Sequence, residues 1–546
     1  MSWKVAPIGR GGDLLYSQAG TPSLDLRFAE KKALTDYVSG TNLVSFTRAS
    51  SGTYVGADGL IKTTPVNLIL GSQNFTDGFS NRSNVTQNTT TSPIGDQTGS
   101  TLTAKSEPDS LRQTFACTLG VTYTVSVHVK QDTANTFTWR FTGSNAGINE
   151  AVTVYFANGT VSNGSIQALS NGWYRVSVTA TATGNANPSV VLGIGSDTTH
   201  IWGLQVEEGT TATDYIPTTS TISGAPRFDH DPATGESLGL LIEESRTNYI
   251  LNSDSATGSA LSGFTVSTIN SVVNPDGSTG TTQIQRPAVG SSNYRMGDTF
   301  SGTPGTAYAG SIYVRTLSGS STIAFDVNDQ NIEVFPVTEE WTRLDKVGTS
   351  GLAFRFMDLY QNDVSYSDTP ILIWGAQLEA GSFPTSYIPT SGAQATRAAD
   401  VAEITGTNFS SWYNQSEGTV FAESDYQVGS SGARIVGVND GTNNNRHEVL
   451  ANGASIQAFQ VNGGVNEVIL TRTAGTKAAL AYALNDYALS VDSQALVNDT
   501  AATPPAVTQM SIGNWYNNAG QINGHINRLT YWQQRLPDTT LQTITT

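Results

Sequence analysis

The chain has 546 residues, a formal net charge of −17, only 13% charged residues, 54 glycines and a single cysteine. Its length leaves room for roughly three to five domains, and aromatic residues recur along all of it, which excludes intrinsic disorder. The acidic balance argues against binding nucleic acid or docking on anionic membranes, and the lone Cys117 excludes an intrachain disulfide framework.

Residues 1–60 begin without an apolar leader segment, so no signal peptide is predicted. No window approaches ~18 consecutive apolar residues, so no membrane insertion is expected. The stretch LDLRFAEKKALTDYV is one of few places where a short helix fits. Leu24, Leu26, Phe28, Leu34, Tyr37 and Val38 are too few for a private core. This region is therefore expected to take its burial from neighbouring subunits or from a larger particle.

Residues 61–220 alternate with period two. In Tyr123-Thr-Val-Ser-Val-His-Val129 the odd positions are apolar, and Tyr174-Arg-Val-Ser-Val-Thr-Ala180 alternates in the other parity. Such alternation predicts half-buried antiparallel strands. Their spacing by Gly, Asn, Ser and Asp clusters predicts a β-sandwich. Residues 221–241 read as a turn-rich connector.

Residues 242–392 repeat the pattern. IWGLQVEEGTTATDYIPT (201–218) matches IWGAQLEAGSFPTSYIPT (373–390). Trp202 pairs with Trp374, Gln205 with Gln377, Glu207 with Glu379 and Tyr215 with Tyr387. LIKTTPVNLIL (60–70) matches LIEESRTNYIL (241–251) in the same way, and Asn67 recurs as Asn248. GVTYTVSVHVK resembles GTAYAGSIYVR, and NGWYRVSV resembles EEWTRLDK. The two segments are thus copies of one sandwich. Residues 393–546 do not match the repeat and predict a third, different sandwich, ending in a helical turn at LQTI. The fold class is all-β: three antiparallel β-sandwich (jelly-roll) domains in tandem.

FTRASSGTYVGADGLIKTTPVNLIL (46–70) and PRFDHDPATGESLGLLIEESRTNYIL (226–251) resemble segments of tailed-phage virion proteins. The WGxQxExG…YIPT endings resemble the last strand of carbohydrate-binding-module-like sandwiches. GTVFAES…GHINRLTYWQQRLPD…LQTIT resembles concanavalin A-like (laminin-G-like) lectin domains. The resemblance implies a virion fibre or spike subunit, assembled in the host cytoplasm. Residues 1–60 would attach it to other virion proteins. The sandwiches would bind host-surface polysaccharide, with the C-terminal one distal. A homotrimer is implied in the same way. The alternatives are a head-fibre, decoration or spacer protein without glycan binding, and a polysaccharide depolymerase.

For glycan contact the candidates are Trp139 and Arg140 in FTWRF, Tyr155 in VTVYFANG, and Trp515 and Tyr516 in the loop-like GNWYNNAG. Aromatic rings stack on apolar sugar faces; the competing reading for each residue is local packing. Trp202, Gln205, Glu207, Tyr215, Trp374, Gln377, Glu379 and Tyr387 recur in both copies, which favours a structural role, because ligand sites drift after duplication. Glu207-Glu208 and Glu243-Glu244 are adjacent, and strand neighbours face opposite ways, so neither pair can flank a glycosidic bond. No enzyme is expected. Asp229-His230-Asp231…Glu236 lacks a full calcium-loop spacing, and the histidines show no zinc pattern. No cofactor or metal is expected.

Overall fold

The computed structural model describes residues 13–255, 260–262, 265–285, 294–300, 302–327, 330–349, 354–359, 369–426 and 431–546. Residues 1–12 of the expected attachment region, and parts of the second copy, lie outside the described residues. The chain is almost wholly β, built of antiparallel pairs. It divides into two compact units. One is formed by 47–51 and 64–225; the other contains 1–46, 52–63 and 226–546.

The smaller unit is the first copy. Its six-stranded sheet runs in the order Ser165–Ala168, Trp173–Thr181, Thr122–Gln131, Thr198–Glu208, Gly99–Thr103, Val85–Thr90. A five-stranded sheet faces it, with Thr136–Gly143 between Ile148–Tyr155 and Ser189–Leu192. The alternation marks the core face, where Val125, Val127 and Val129 meet Phe137, Trp139 and Phe141, but the strand is not half-buried as expected: Thr124, Ser126 and His128 on its other face are buried too, beneath the exit segment. Val176 and Val178 join them from the neighbouring strand.

The second copy, in the larger unit, repeats the sheet. Thr342–Thr349, Ala307–Thr316, Ile371–Ala380, Thr281–Gln285 and Thr265–Ile269 follow one another in the same order as their counterparts. Its core gathers Ile312, Val314, Ile323, Phe325, Ile371 and Ile373.

The third sandwich is not made by residues 393–546 alone. Among the described residues one of its sheets has eight strands, and the central strand Gly524–Trp532 pairs on one side with Gly418–Ser424. On its other side lie Leu24–Leu26, from the N-terminal region, and Ser237–Ile242, from the connector. Phe228–His230 then pairs with Ser237–Ile242. The opposite, seven-stranded sheet runs from Ser45–Thr47 through Val401–Thr405, Gln509–Ile512 and Ser431–Asn439 to Val465–Thr473.

The N-terminal expectation is corrected accordingly. Leu24, Leu26 and Phe28 are fully buried, and Leu43, Val44 and Phe46 nearly so, in the core shared with Leu480, Leu489, Ile512 and Leu529. The burial this stretch lacked locally comes from the same chain. Only Phe28–Lys31 of the expected helix is helical, because Leu24–Leu26 is drawn into the sheet. Arg27 and Arg528 share Asp25 and Asp13 at 2.7–2.9 Å, fixing the segment to the strand Gly524–Trp532. The terminal turn is the helix Asp538–Ile544, whose Leu541 and Ile544 pack with Leu15 and Ala19.

Candidate functional site

The repeated motif builds a neck where the chain enters and leaves each copy. In the first copy Asn67 Nδ2 donates to the carbonyls of Leu204 and Ile216, and its Oδ1 accepts from the amides of Ile69 and Val206. Asn248 does the same in the second copy, with Ala376, Ile388, Ile250 and Leu378. Gln205 donates to Glu207 at 2.7 Å and accepts from the Ile216 amide; Gln377 does so with Glu379 and Ile388. Each glutamate also takes the amide and hydroxyl of a threonine, Thr213 or Thr385. The Tyr215 hydroxyl shares a 2.5 Å hydrogen bond with Ser72, and Tyr387 shares one of 2.6 Å with Ser253. These donors and acceptors are paired and most are buried, so the two terminal segments are locked together. Asn67 and Asn248 each join both segments through four of these hydrogen bonds. Their recurrence in the sequence was the signal.

Trp202 and Trp374 are 1% and 2% exposed. They lie outside the main cores of their sandwiches, in satellite clusters capped by the exit tyrosines, 4.5 and 4.6 Å away between ring centroids. Gly203 and Gly375, at φ +57° and +67°, open the bulge that brings each ring under the exit segment. Trp374→Ala is expected to cost about 3 kcal/mol, the lower end for a large buried aromatic. Thermal unfolding of the purified variant measures it.

Trp139 cannot contact a sugar. The face it shares with Phe137 and Phe141 points into the sandwich, and its ring is fully buried. Arg140 and Tyr155 both lie on the outer face of that sheet. Arg140 stands opposite Ala151 and Tyr155 opposite Thr136. Four residues along a strand separate them by ~13 Å, and Arg140 is 3.6 Å from Glu107. They do not form one site.

Trp515 and Tyr516 do come together. They sit in the loop between Gln509–Ile512 and Gly524–Trp532, half-exposed, with ring centroids 4.9 Å apart and nearly perpendicular. The turn closes through the Trp515 amide to Ala519 and the Asn518 amide back to Trp515, each 2.8 Å. The guanidinium of Arg434 lies 4.2 Å from the Trp515 ring centroid. Arg446 reaches the buried Glu448 at 3.1 Å beneath it. A cation therefore fixes one face of the indole. Asn517 and Asn518 stand exposed beside the pair.

A second polar cluster in the larger unit had no motif to announce it. Glu243 bridges Arg227 at 2.6 Å and Arg397 at 3.0 Å, and accepts from the amide and hydroxyl of Ser386. Arg227 also binds Asp400. Glu244 turns the other way, to Arg246, although the pair lies in the link between Ser237–Ile242 and Arg246–Asn248 and not in a strand as expected. Asp229 takes the Val55 amide at 2.5 Å, His230 pairs with the Val55 carbonyl, and Asp231 caps its own turn at Ala233 and Thr234.

His525 stands between Asp229 (3.0 Å) and Asp425 (2.9 Å). Burial alone would depress its pKa. The hydrogen bonds and charges of the two carboxylates overcome that and push it up to about 9. A raised histidine pKa stabilises the fold fully below the unfolded value near 6.5 and loses that contribution as pH rises through 9. The unfolding midpoint of the larger unit is thus expected to fall between pH 7 and 10. In His525→Asn that part of the slope disappears, which differential scanning fluorimetry across the range checks.

No protein-family model matches the chain, and no curated protein is significantly similar to it. Among solved structures, a carbohydrate-binding module (CBM40) of the Ruminococcus gnavus IT-sialidase, bound to alpha2,3 sialyllactose, aligns with 26% of this chain and 88% of its own, at 15% identity and a TM-score of 0.24. The CBM22-1–CBM22-2 tandem of Paenibacillus barcinonensis Xyn10C aligns with 58% of this chain and 97% of its own, at 11% identity and 0.22. The LG1-3 region of the laminin alpha2 chain covers 79% and 96%, at 9% identity and 0.13.

Proposed function

We propose that the chain is a tailed-phage virion subunit, a tail fibre or spike, that binds host-surface glycans and does not cleave them. The glycan reading is carried by the Trp515–Tyr516 pair: two half-exposed aromatics at a sandwich rim, held by Arg434 and flanked by exposed amides. Rings of this kind cover the apolar face of a sugar while amides pair its hydroxyls. The virion assignment is drawn from the sequence resemblance at 46–70 and 226–251, and with it come a homotrimer and contacts to other virion proteins.

Glycan-array binding with the full chain tests the reading. Wild type is expected to bind a subset of bacterial surface glycans, and Trp515→Ala to lose about tenfold or more in affinity. Its unfolding midpoint should stay close to wild type, because the ring is a rim group. Release of reducing ends from bound polysaccharide would sink the non-cleaving part. Mass measurement on the purified protein decides the trimer.

A further inference from the structure

A cleft of about 340 Å3 opens in the larger unit, between the exit loop of the second copy and the edge of the C-terminal sandwich. Its size falls at the small end of ligand sites, ~300–1,000 Å3. Tyr54, Tyr313, Phe383 and Tyr426 line it, all partly exposed. Between them stand Arg343, Asn523, Asp229, Asp425 and His525. Arg343 is held in place by donating to the Ser311 hydroxyl and the Thr385 carbonyl at 2.9 and 2.8 Å. Asp425 is fixed by the amide and ring of His525, yet its carboxylate is 48% exposed.

The charges decide what fits. The acids of the lining are already paired inside the protein, Asp229 and Asp425 with His525, and Glu243 with the buried Arg227 and Arg397 behind it. A charged ligand would give up its hydration here for no net complementary charge. A ligand with apolar faces and a rim of hydroxyls loses nothing of that kind. Its faces meet the aromatic walls, and its hydroxyls meet fixed carboxylate, guanidinium and amide groups that act as both donors and acceptors.

We infer that this cleft is a second glycan site, separate from the Trp515–Tyr516 loop, and that it takes an uncharged pyranose unit. The inference rests on the proposed glycan-binding function and adds the ligand class and the place.

Saturation-transfer NMR on the full chain tests it. The probes are D-glucose, D-galactose and N-acetyl-D-glucosamine, with N-acetylneuraminic acid and D-glucosamine as charged counterparts. At least one neutral sugar is expected to bind, about tenfold or more tightly than the charged pair. Tyr54→Ala and Phe383→Ala should each weaken it about tenfold. Tyr54→Phe, which keeps the ring, should stay within about threefold of wild type and guards against a folding artefact. Trp515→Ala should leave this binding in place. A neutral sugar that binds but is lost only in Trp515→Ala overturns the cleft and leaves glycan binding standing. Preference for a charged sugar, lost in the cleft variants, overturns the ligand class. If none of the five sugars binds the wild type, the cleft inference fails, while the glycan-array result still decides the broader function.

Discussion

A fragment comprising residues 393–546 is expected to aggregate or remain molten, although the sequence marks it as a domain of its own. In the full chain its core is closed by Leu24, Leu26 and Phe28, by Val44 and Phe46, and by Leu240 and Ile242 of the connector, all 5% exposed or less. Burying such side chains contributes ~1.5–3 kcal/mol each. Seven of them together reach about 10 kcal/mol or more, comparable to the whole stability of a typical domain, ~5–15 kcal/mol. The fragment would also uncover one edge of the strand Gly524–Trp532 and leave Arg528 without Asp13 and Asp25. Amide-proton NMR dispersion and scanning calorimetry on the fragment check this. A cooperative transition at the midpoint the sandwich shows in the full chain would mean that the N-terminal segment is an accessory. By the same reasoning, a chain lacking only residues 1–46 should lose the C-terminal sandwich and keep the transition of the unit formed by 47–51 and 64–225, which contains none of the deleted residues.

This arrangement also explains what the sequence could and could not disclose. The strands of the two copies were legible because each carries its own period-two pattern, and Tyr123–Val129 alone fixes which face is inside. The recurring Trp, Gln, Glu and Tyr were legible as structural because duplication supplied an internal comparison. The composition of the third sandwich was not legible. Leu24–Leu26 pairs with residues 529–531, and nothing local in a three-residue strand states so distant a partner. For Trp139 the competing reading, local packing, is the one that holds, and the pattern carries its reason. Phe137, Trp139 and Phe141 form the apolar face, while Thr138, Arg140 and Thr142 form the polar one, and the apolar face is the core. The cleft residues were invisible for another reason. Tyr54, Asp229, Phe383, Asp425 and His525 come from segments far apart in the chain and share no motif.

The buried cluster beneath that cleft carries the other large effect. Glu243→Ala is expected to destabilise the larger unit by ~3–5 kcal/mol, because it leaves the guanidinium groups of Arg227 and Arg397 buried with less compensation. Glu243→Gln should cost less, since the amide can still accept from Ser386, but it too surrenders the charge. The pH dependence separates a charge effect from lost packing. Burial pushes the Glu243 pKa up, but Arg397, Arg227 and the Ser386 hydrogen bonds outweigh it and hold the carboxyl well below its ordinary 4.5. A depressed carboxylate contributes stability that is present above the unfolded pKa and is lost as pH falls through the folded one. Wild type is therefore expected to lose stability progressively below about pH 4.5. In Glu243→Gln this component of the acid slope should vanish, while the alkaline loss due to His525 remains. Chemical denaturation at pH 3, 5, 7 and 10 reads both. If the variant and wild type lost stability in parallel from pH 5 to 3, the cluster would not be the group that titrates. The second copy would then be held in place by contacts that do not depend on this charge, among them the packing of Trp374 and Tyr387 against Ile61 of the hairpin formed by Thr53–Val55 and Ile61–Thr63.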